Sequence, residues 1–139
     1  MSKDRTHIEK SFIAQGLMLT LGAQIERVEE GSVILSAPLS DRVSQQHGAA
    51  HAGLTFALGD SAAGYSALTL MGSDTEVMTV EMKINLLSPA FGDRLVATGK
   101  VEKAGKRLLV VTARVEAETD GQRKLVAIMQ GTMIPVPLS

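Results

Sequence analysis

From Leu95 to Glu102 the chain alternates strictly. Leu95, Ala97, Gly99 and Val101 fall on one side of an extended backbone, and Val96, Thr98, Lys100 and Glu102 on the other. The same period of two sets Val80, Met82, Ile84 and Leu86 against Thr79, Glu81, Lys83 and Asn85, and Ser88-Pro89 closes that segment. Leu109, Val111, Ala113 and Val115 follow a turn at Lys103–Lys106, and Leu125, Ala127, Met129 and Met133 follow Asp120-Gly121. These four segments predict an antiparallel meander. Upstream, Ile25 and Val28, a Glu30-Gly31 turn, then Val33, Leu35, Ala37 and Leu39 predict a hairpin.

Between the hairpin and the meander the period changes. Leu54, Ala57, Leu58, Ser61, Ala62, Tyr65 and Leu68 recur at helical spacing, and the remaining faces of Gly53–Met71 are also apolar or small. A helix of that kind is buried all round. Its glycines and alanines point to a close approach of surrounding backbone. A shorter stripe of Ile8, Phe12 and Ile13 predicts a surface helix over Lys3–Met18. The order is therefore helix, two strands, one long buried helix and four strands, without linker or repeat. It predicts an α+β domain spanning residues 1–139, in which one curved antiparallel sheet wraps one helix. One sheet cannot cover a helix on every side, and it leaves an edge to protect, so pairing of two copies is expected.

Composition narrows the class. Of 139 residues, 45% are hydrophobic and 21% charged, with a formal net charge of −1, which fits a packed domain. The 14 basic residues are dispersed among 15 acidic ones, so no basic stripe is available to a nucleic acid. The absence of cysteine removes disulfides, thiolate metal ligands and a cysteine nucleophile, and fits a reducing compartment, so a cytoplasmic protein is expected. The apolar run Phe12–Ala23 is not read as a signal peptide, because Asp4 and Glu9 dilute its positive flank and Gln15 interrupts it. Ala52–Gly72 is long enough to span a bilayer, yet it carries Asp60 at its centre, and no membrane segment is expected.

The candidate chemistry lies in Gln45–Ala62. Ala52 and Gly53 open the long helix, where the first amides lack internal partners and the dipole is positive, so that end can hold an oxyanion. Asp60 is the sole charge in the helix. Burying an unpaired carboxylate costs several kcal/mol or forces protonation, so a functional role is indicated. Gln45 offers an amide that can orient a water or a substrate oxygen. Ala52 and Asp60 are eight positions apart, roughly 12 Å along a helix. A reacting carbonyl needs both groups within about 3 Å, which one chain can scarcely arrange. Two helices antiparallel across a twofold axis would set the amides of one against the carboxylate of the other.

The pattern Gln45-x-x-Gly48-x-x-His51-Ala52-Gly53 followed by Leu58-x-Asp60 resembles the signature of hot-dog-fold acyl-CoA thioesterases of the phenylacetic acid degradation type, a group that includes the human thioesterase superfamily members. The run Thr79–Ala90 resembles that family's strand after the helix and its Pro-Ala turn, and the likeness extends over residues 21–132. The resemblance implies hydrolysis of an acyl- or aryl-CoA with Asp60 as base or nucleophile. It implies Gln45 as positioner of water, the Ala52 and Gly53 amides as oxyanion donors, and Thr79 as a second holder of water. Substrate contacts are implied at Gly48, His51 and Leu86, and coenzyme A contacts at the turn Lys103, Ala104, Gly105, Lys106, Arg107 and Leu108, whose cations suit phosphate. The expected assembly is a homodimer with composite sites, stacked as a homotetramer. No cofactor is expected beyond the coenzyme A of the substrate.

Two positions depart from the family pattern. Ala52 replaces the first glycine of its pair and Gln45 the commoner Asn, so rate and substrate size are open. His47 and His51 are spaced like a metal pair, yet Gly48 opposes a helix there and no third ligand is evident, so no metal site is expected. Two other activities suit the same fold. One is a non-catalytic acyl-CoA binding module. The other is an acyl-CoA hydratase, whose Asp is paired with a His about five positions on, where this chain has Tyr65.

Overall fold

A computed structural model describes residues 5–138. The elements run α1 (Arg5–Ile13), α2 (Gly16–Leu21), β1 (Gln24–Glu29), β2 (Ser32–Pro38), a 3-10 turn (Asp41–Val43), α3 (Ala52–Leu68), β3 (Thr75–Leu86), β4 (Arg94–Ala104), β5 (Leu109–Thr119) and β6 (Gln122–Pro137). The six strands form one antiparallel sheet in the order β1-β2-β4-β5-β6-β3, curved around α3. This is the hot-dog architecture that the motifs implied.

Three expectations are corrected. First, the last four strands are not a simple meander: β4-β5-β6 is one, but β3 crosses to the far side and pairs with β6. Ser88-Pro89 cannot make a tight hairpin, and β2 already occupies the edge of β4 that β3 would need. Placing β3 at the far edge lets β2 and β3 flank α3 from opposite sides. Second, the N-terminal helix is two pieces, broken between Ile13 and Gly16, and the expected start at Lys3 lies outside the described residues. Third, the tip between β4 and β5 falls at Gly105–Leu108, with the Gly105 amide on the Leu108 carbonyl at 2.9 Å, because β4 runs on through Ala104.

The core is built on α3. Leu58, Ala62, Ala63, Ala67 and Leu68 are fully buried against Val33, Leu35, Leu95, Ala97, Val111, Val115 and Met129. A side chain at Gly99 would run into the Ala62 carbonyl and Ser66 Oγ, so glycine there is what lets β4 lie directly on the helix backbone. Buried Ser66 is satisfied at both ends: its Oγ donates to the Ala62 carbonyl at 2.7 Å and accepts the Val33 amide at 2.9 Å. Thr69 Oγ1 likewise donates to the Ser66 carbonyl at 2.6 Å and accepts the Gly31 amide at 2.8 Å. These bonds tie the end of α3 to the first hairpin. Among the described residues, no helix is long and apolar enough to cross a membrane.

Candidate active site

The pairing of β3 with β6 slips by one residue between Thr79 and Glu81, leaving Val80 as a bulge. The inward phase therefore changes there. Met82 and Ile84 face the core after the bulge, as alternation predicts, but before it the inward residues are Val77 and Thr79. Strict alternation put Thr79 opposite the apolar face. The bulge instead turns its hydroxyl toward α3, where Oγ1 donates to Asp60 Oδ1 at 2.8 Å. Met133 Sδ, at 3.2 Å, is a poorer acceptor for the same proton.

Asp60 is half-buried on the exposed flank of α3. Burial pushes its carboxyl above the ordinary value of 3.8, and the Thr79 hydrogen bond offsets part of that rise. Asp60 and Thr79 open on a cleft of about 390 Å³ whose walls include Tyr65, Ser11, Gln15 and Glu76. The N-terminal segment expected to be peripheral thus contributes two polar side chains beside the carboxylate. Nothing in the helical stripe of Ile8 and Phe12 marked Ser11 or Gln15, because their partner is Tyr65, 54 and 50 positions away respectively.

Gln45, His51, Ala52 and Leu86 gather in a second cleft, of about 460 Å³, which shares no wall residue with the first, while Gly48 and Gly53 line neither. The loop before α3 is fixed by backbone bonds from the His51 amide to the Val43 carbonyl at 2.8 Å and from Ala50 to Ala90 at 2.9 Å. Gly48 permits the turn with φ of 90°. Gln45 Oε1 accepts the His47 amide, which leaves its Nε2 group to donate elsewhere. His51 caps the helix, with Nδ1 accepting the Gly53 amide at 2.8 Å, so its ring proton resides on Nε2. A Cβ at Gly53 would sit 2.9 Å from that nitrogen, so glycine is needed for the ring to fold back onto the amide.

The two expected oxyanion donors are therefore unequal. The Gly53 amide is taken by His51, whereas the Ala52 amide has no acceptor among the described residues. Lys103, Ala104, Gly105, Lys106, Arg107 and Leu108 are exposed at the β4–β5 tip and line neither cleft. Among the described residues there is no cluster of three His, Cys, Asp or Glu side chains arranged to hold a metal. Tyr65 stands five positions after Asp60, its phenol pushed above the ordinary 10.0 chiefly by burial, which makes it a poor proton donor or acceptor at neutral pH.

Residues 47–124 match the profile of the thioesterase superfamily. Among solved structures, a thioesterase family protein from Silicibacter pomeroyi is 40% identical, with a TM-score of 0.91 over 94% of this chain and 96% of its own. The PaaI protein from the phenylacetic acid degradation operon of E. coli superposes with a TM-score of 0.85 at 23% identity, over 94% of this chain and 91% of that one, a likeness of fold. A 1,4-dihydroxy-2-naphthoyl-CoA hydrolase of Listeria monocytogenes is 28% identical over 118 residues, 85% of this chain and 94% of the relative.

Proposed function

The chain belongs to the thioesterase superfamily and is a thioester hydrolase; from that premise we propose that it cleaves acyl-CoA thioesters at sites shared between two copies of itself. One observation carries the reading. The carboxylate side and the oxyanion side of the chemistry lie in separate clefts, each flanked by a different end of β3. Val77 and Thr79 border the cleft of Asp60, and Leu86 borders that of Gln45 and Ala52.

β3 is an edge strand, bonded to β6 alone among the described residues, and Met78 and Val80 on it are 52% and 56% exposed. Such an edge invites pairing. Antiparallel pairing of β3 with its own copy about a twofold axis brings the Thr79 end of one chain to the Leu86 end of the other. It thereby closes each Asp60 cleft with a partner's helix start and makes two equivalent composite sites per dimer. A dimer of dimers is compatible with this arrangement.

In such a site the thioester carbonyl oxygen accepts hydrogen bonds from the Ala52 amide and Gln45 Nε2, at the positive end of α3. Asp60 takes a proton from a water as that water's oxygen bonds to the carbonyl carbon. Thr79, bonded to Asp60 Oδ1, holds the carboxylate's orientation and helps seat the water. The tetrahedral oxyanion collapses, the carbon–sulfur bond breaks, and Asp60 returns the proton to the coenzyme A sulfur. Lys103, Lys106 and Arg107 supply cations for the coenzyme A phosphates. The substrate is an acyl- or aryl-CoA and the reaction consumes only water, so no further cofactor takes part; the setting is cytoplasmic.

Ala52→Pro isolates the oxyanion step. Ala52 is the first residue of α3, where proline is tolerated, and His51, at φ −63° and ψ 139°, already has the extended backbone that a following proline requires. The substitution deletes one N–H and leaves the helix. Turnover of the best acyl-CoA in a panel of chain lengths and aryl groups falls about 10²- to 10³-fold. Wild-type turnover in a folded Ala52→Pro protein would remove this amide from the mechanism.

A further inference from the structure

The free edge of β3 carries an ordered pattern of charge. Beyond the bulge at Val80 the strand alternates: Met82 and Ile84 pack on the core, while Glu81, Lys83 and Asn85 are exposed on the outer face. There they line a groove of about 270 Å³ with Ile128 and Gln130. Glu81 and Lys83 are thus opposite charges two positions apart on one face. Among the described residues neither makes an ion pair, and the Glu81 carboxylate accepts only Thr132 Oγ1, at 3.3 Å. Met78 and Val80 toward one end of the edge, and Leu86 and Leu87 at the other, are each more than half exposed.

Two constraints limit how this edge can meet its own copy. In an antiparallel pair, residues directly opposite one another share a face, so a twofold axis must pass at one residue and not between two neighbours. The shared sites also require the Thr79 end of one chain to lie across from the Leu86 end of the other. The midpoint of those positions falls between Met82 and Lys83, which leaves these two residues as centres. An axis at Lys83 sets that lysine against its own copy, like charge on like charge. An axis at Met82 sets Glu81 against the partner's Lys83, twice in each dimer, and lets the apolar residues exposed at the two ends of the edge cover one another.

We propose that the β3 edges pair about a twofold axis at Met82, with Glu81 and the partner's Lys83 forming reciprocal ion pairs that fix the register of the dimer. The inference rests on the shared-site reading given above and supplies what aligns those sites. Moving the axis by one residue slides the strands by two, roughly 7 Å, which would carry each Asp60 cleft away from the partner's helix start.

The test reverses the charges. Glu81→Lys and Lys83→Glu each turn both pairs into like-charge contacts, so sedimentation equilibrium at low salt should show dimerisation weakened about 10- to 100-fold. Acyl-CoA turnover at low protein concentration should fall in proportion to the dimer lost. About 1 M sodium chloride should erase most of the difference. The double variant carries the same pairs the other way round and should recover both dimer and turnover, which damage to the fold would not allow. The chain has no cysteine of its own, so introduced thiols report the register directly. Glu81→Cys and Lys83→Cys chains should cross-link with each other and neither with itself. Self-cross-linking of Lys83→Cys, or a Glu81→Lys protein that dimerises like wild type, overturns the register and leaves the hydrolase standing. Dimers that survive every substitution without cross-links take β3 out of the interface and overturn the shared sites as well. A wild type that turns over no acyl-CoA counts against the hydrolase alone, since dimerisation and cross-linking read the register without it.

Discussion

Asp60→Asn should make the protein more stable and nearly inactive, and the two effects have one cause. The carboxylate is half-buried on α3, and burial raises its pKa above 3.8. Above the raised folded-state value the native protein must hold an ionised group that the unfolded chain solvates better, so folding carries a penalty there. That penalty shrinks as pH falls from the raised value and is gone below 3.8, where both states are protonated.

Asparagine keeps the shape and the acceptor for Thr79 Oγ1 but cannot ionise. At pH 7 the variant should therefore gain about 1 kcal/mol, within the range found when a site is relieved of functional strain, or ~3 °C in Tm for a domain of this size. Below pH 3.8 the gain should vanish. Turnover, by contrast, should fall about 10²- to 10⁴-fold as the base is lost. Calorimetric scans of both proteins across pH, with parallel acyl-CoA hydrolysis, measure both arms. A variant no more stable than wild type at neutral pH would mean that Asp60 is well solvated, and the physical case for its role would fail.

Thr79→Val removes the hydrogen bond that partly lowers the Asp60 pKa. The acid limb of the kcat/KM profile should therefore move to higher pH than in the wild type, and an unmoved limb would assign Thr79 to packing alone. His51→Ala strips the cap from the Gly53 amide and should cost about 1 kcal/mol, whereas His51→Asn can cap and should recover most of it; thermal denaturation of the pair separates capping from any loss in rate. Gly99→Ala drives a methyl into the Ala62 carbonyl, so urea unfolding should register a loss of about 1–3 kcal/mol.

Much of the architecture was legible because periodicity survives in the sequence. The all-round apolar helix and the strict alternation of Leu95–Glu102 define a sheet around a rod, and they place Asp60 on the rod. Strand order was not legible. Whether β3 sits beside β4 or across the sheet depends on which flank of α3 remains uncovered, a tertiary matter that alternation does not encode. The bulge at Val80 was hidden for a related reason: apolar residues at 77, 80 and 82 read equally well with one break in phase or none. That break is what turns Thr79 toward Asp60. Ser11 and Gln15 were missed because a polar residue on a short helix carries no mark of what it faces.

The shared site can be tested by mixing two disabled chains. Asp60→Asn and Ala52→Pro should each be nearly inactive alone, yet a heterodimer of the two would contain one site with an intact carboxylate facing an intact amide. Refolded together in equal amounts, half the dimers are mixed and each has one working site of two, so activity should return to about a quarter of wild type. If the mixture stays as inactive as its components while size measurements confirm mixed dimers, both halves of the site must come from the same chain, and the composite arrangement is wrong.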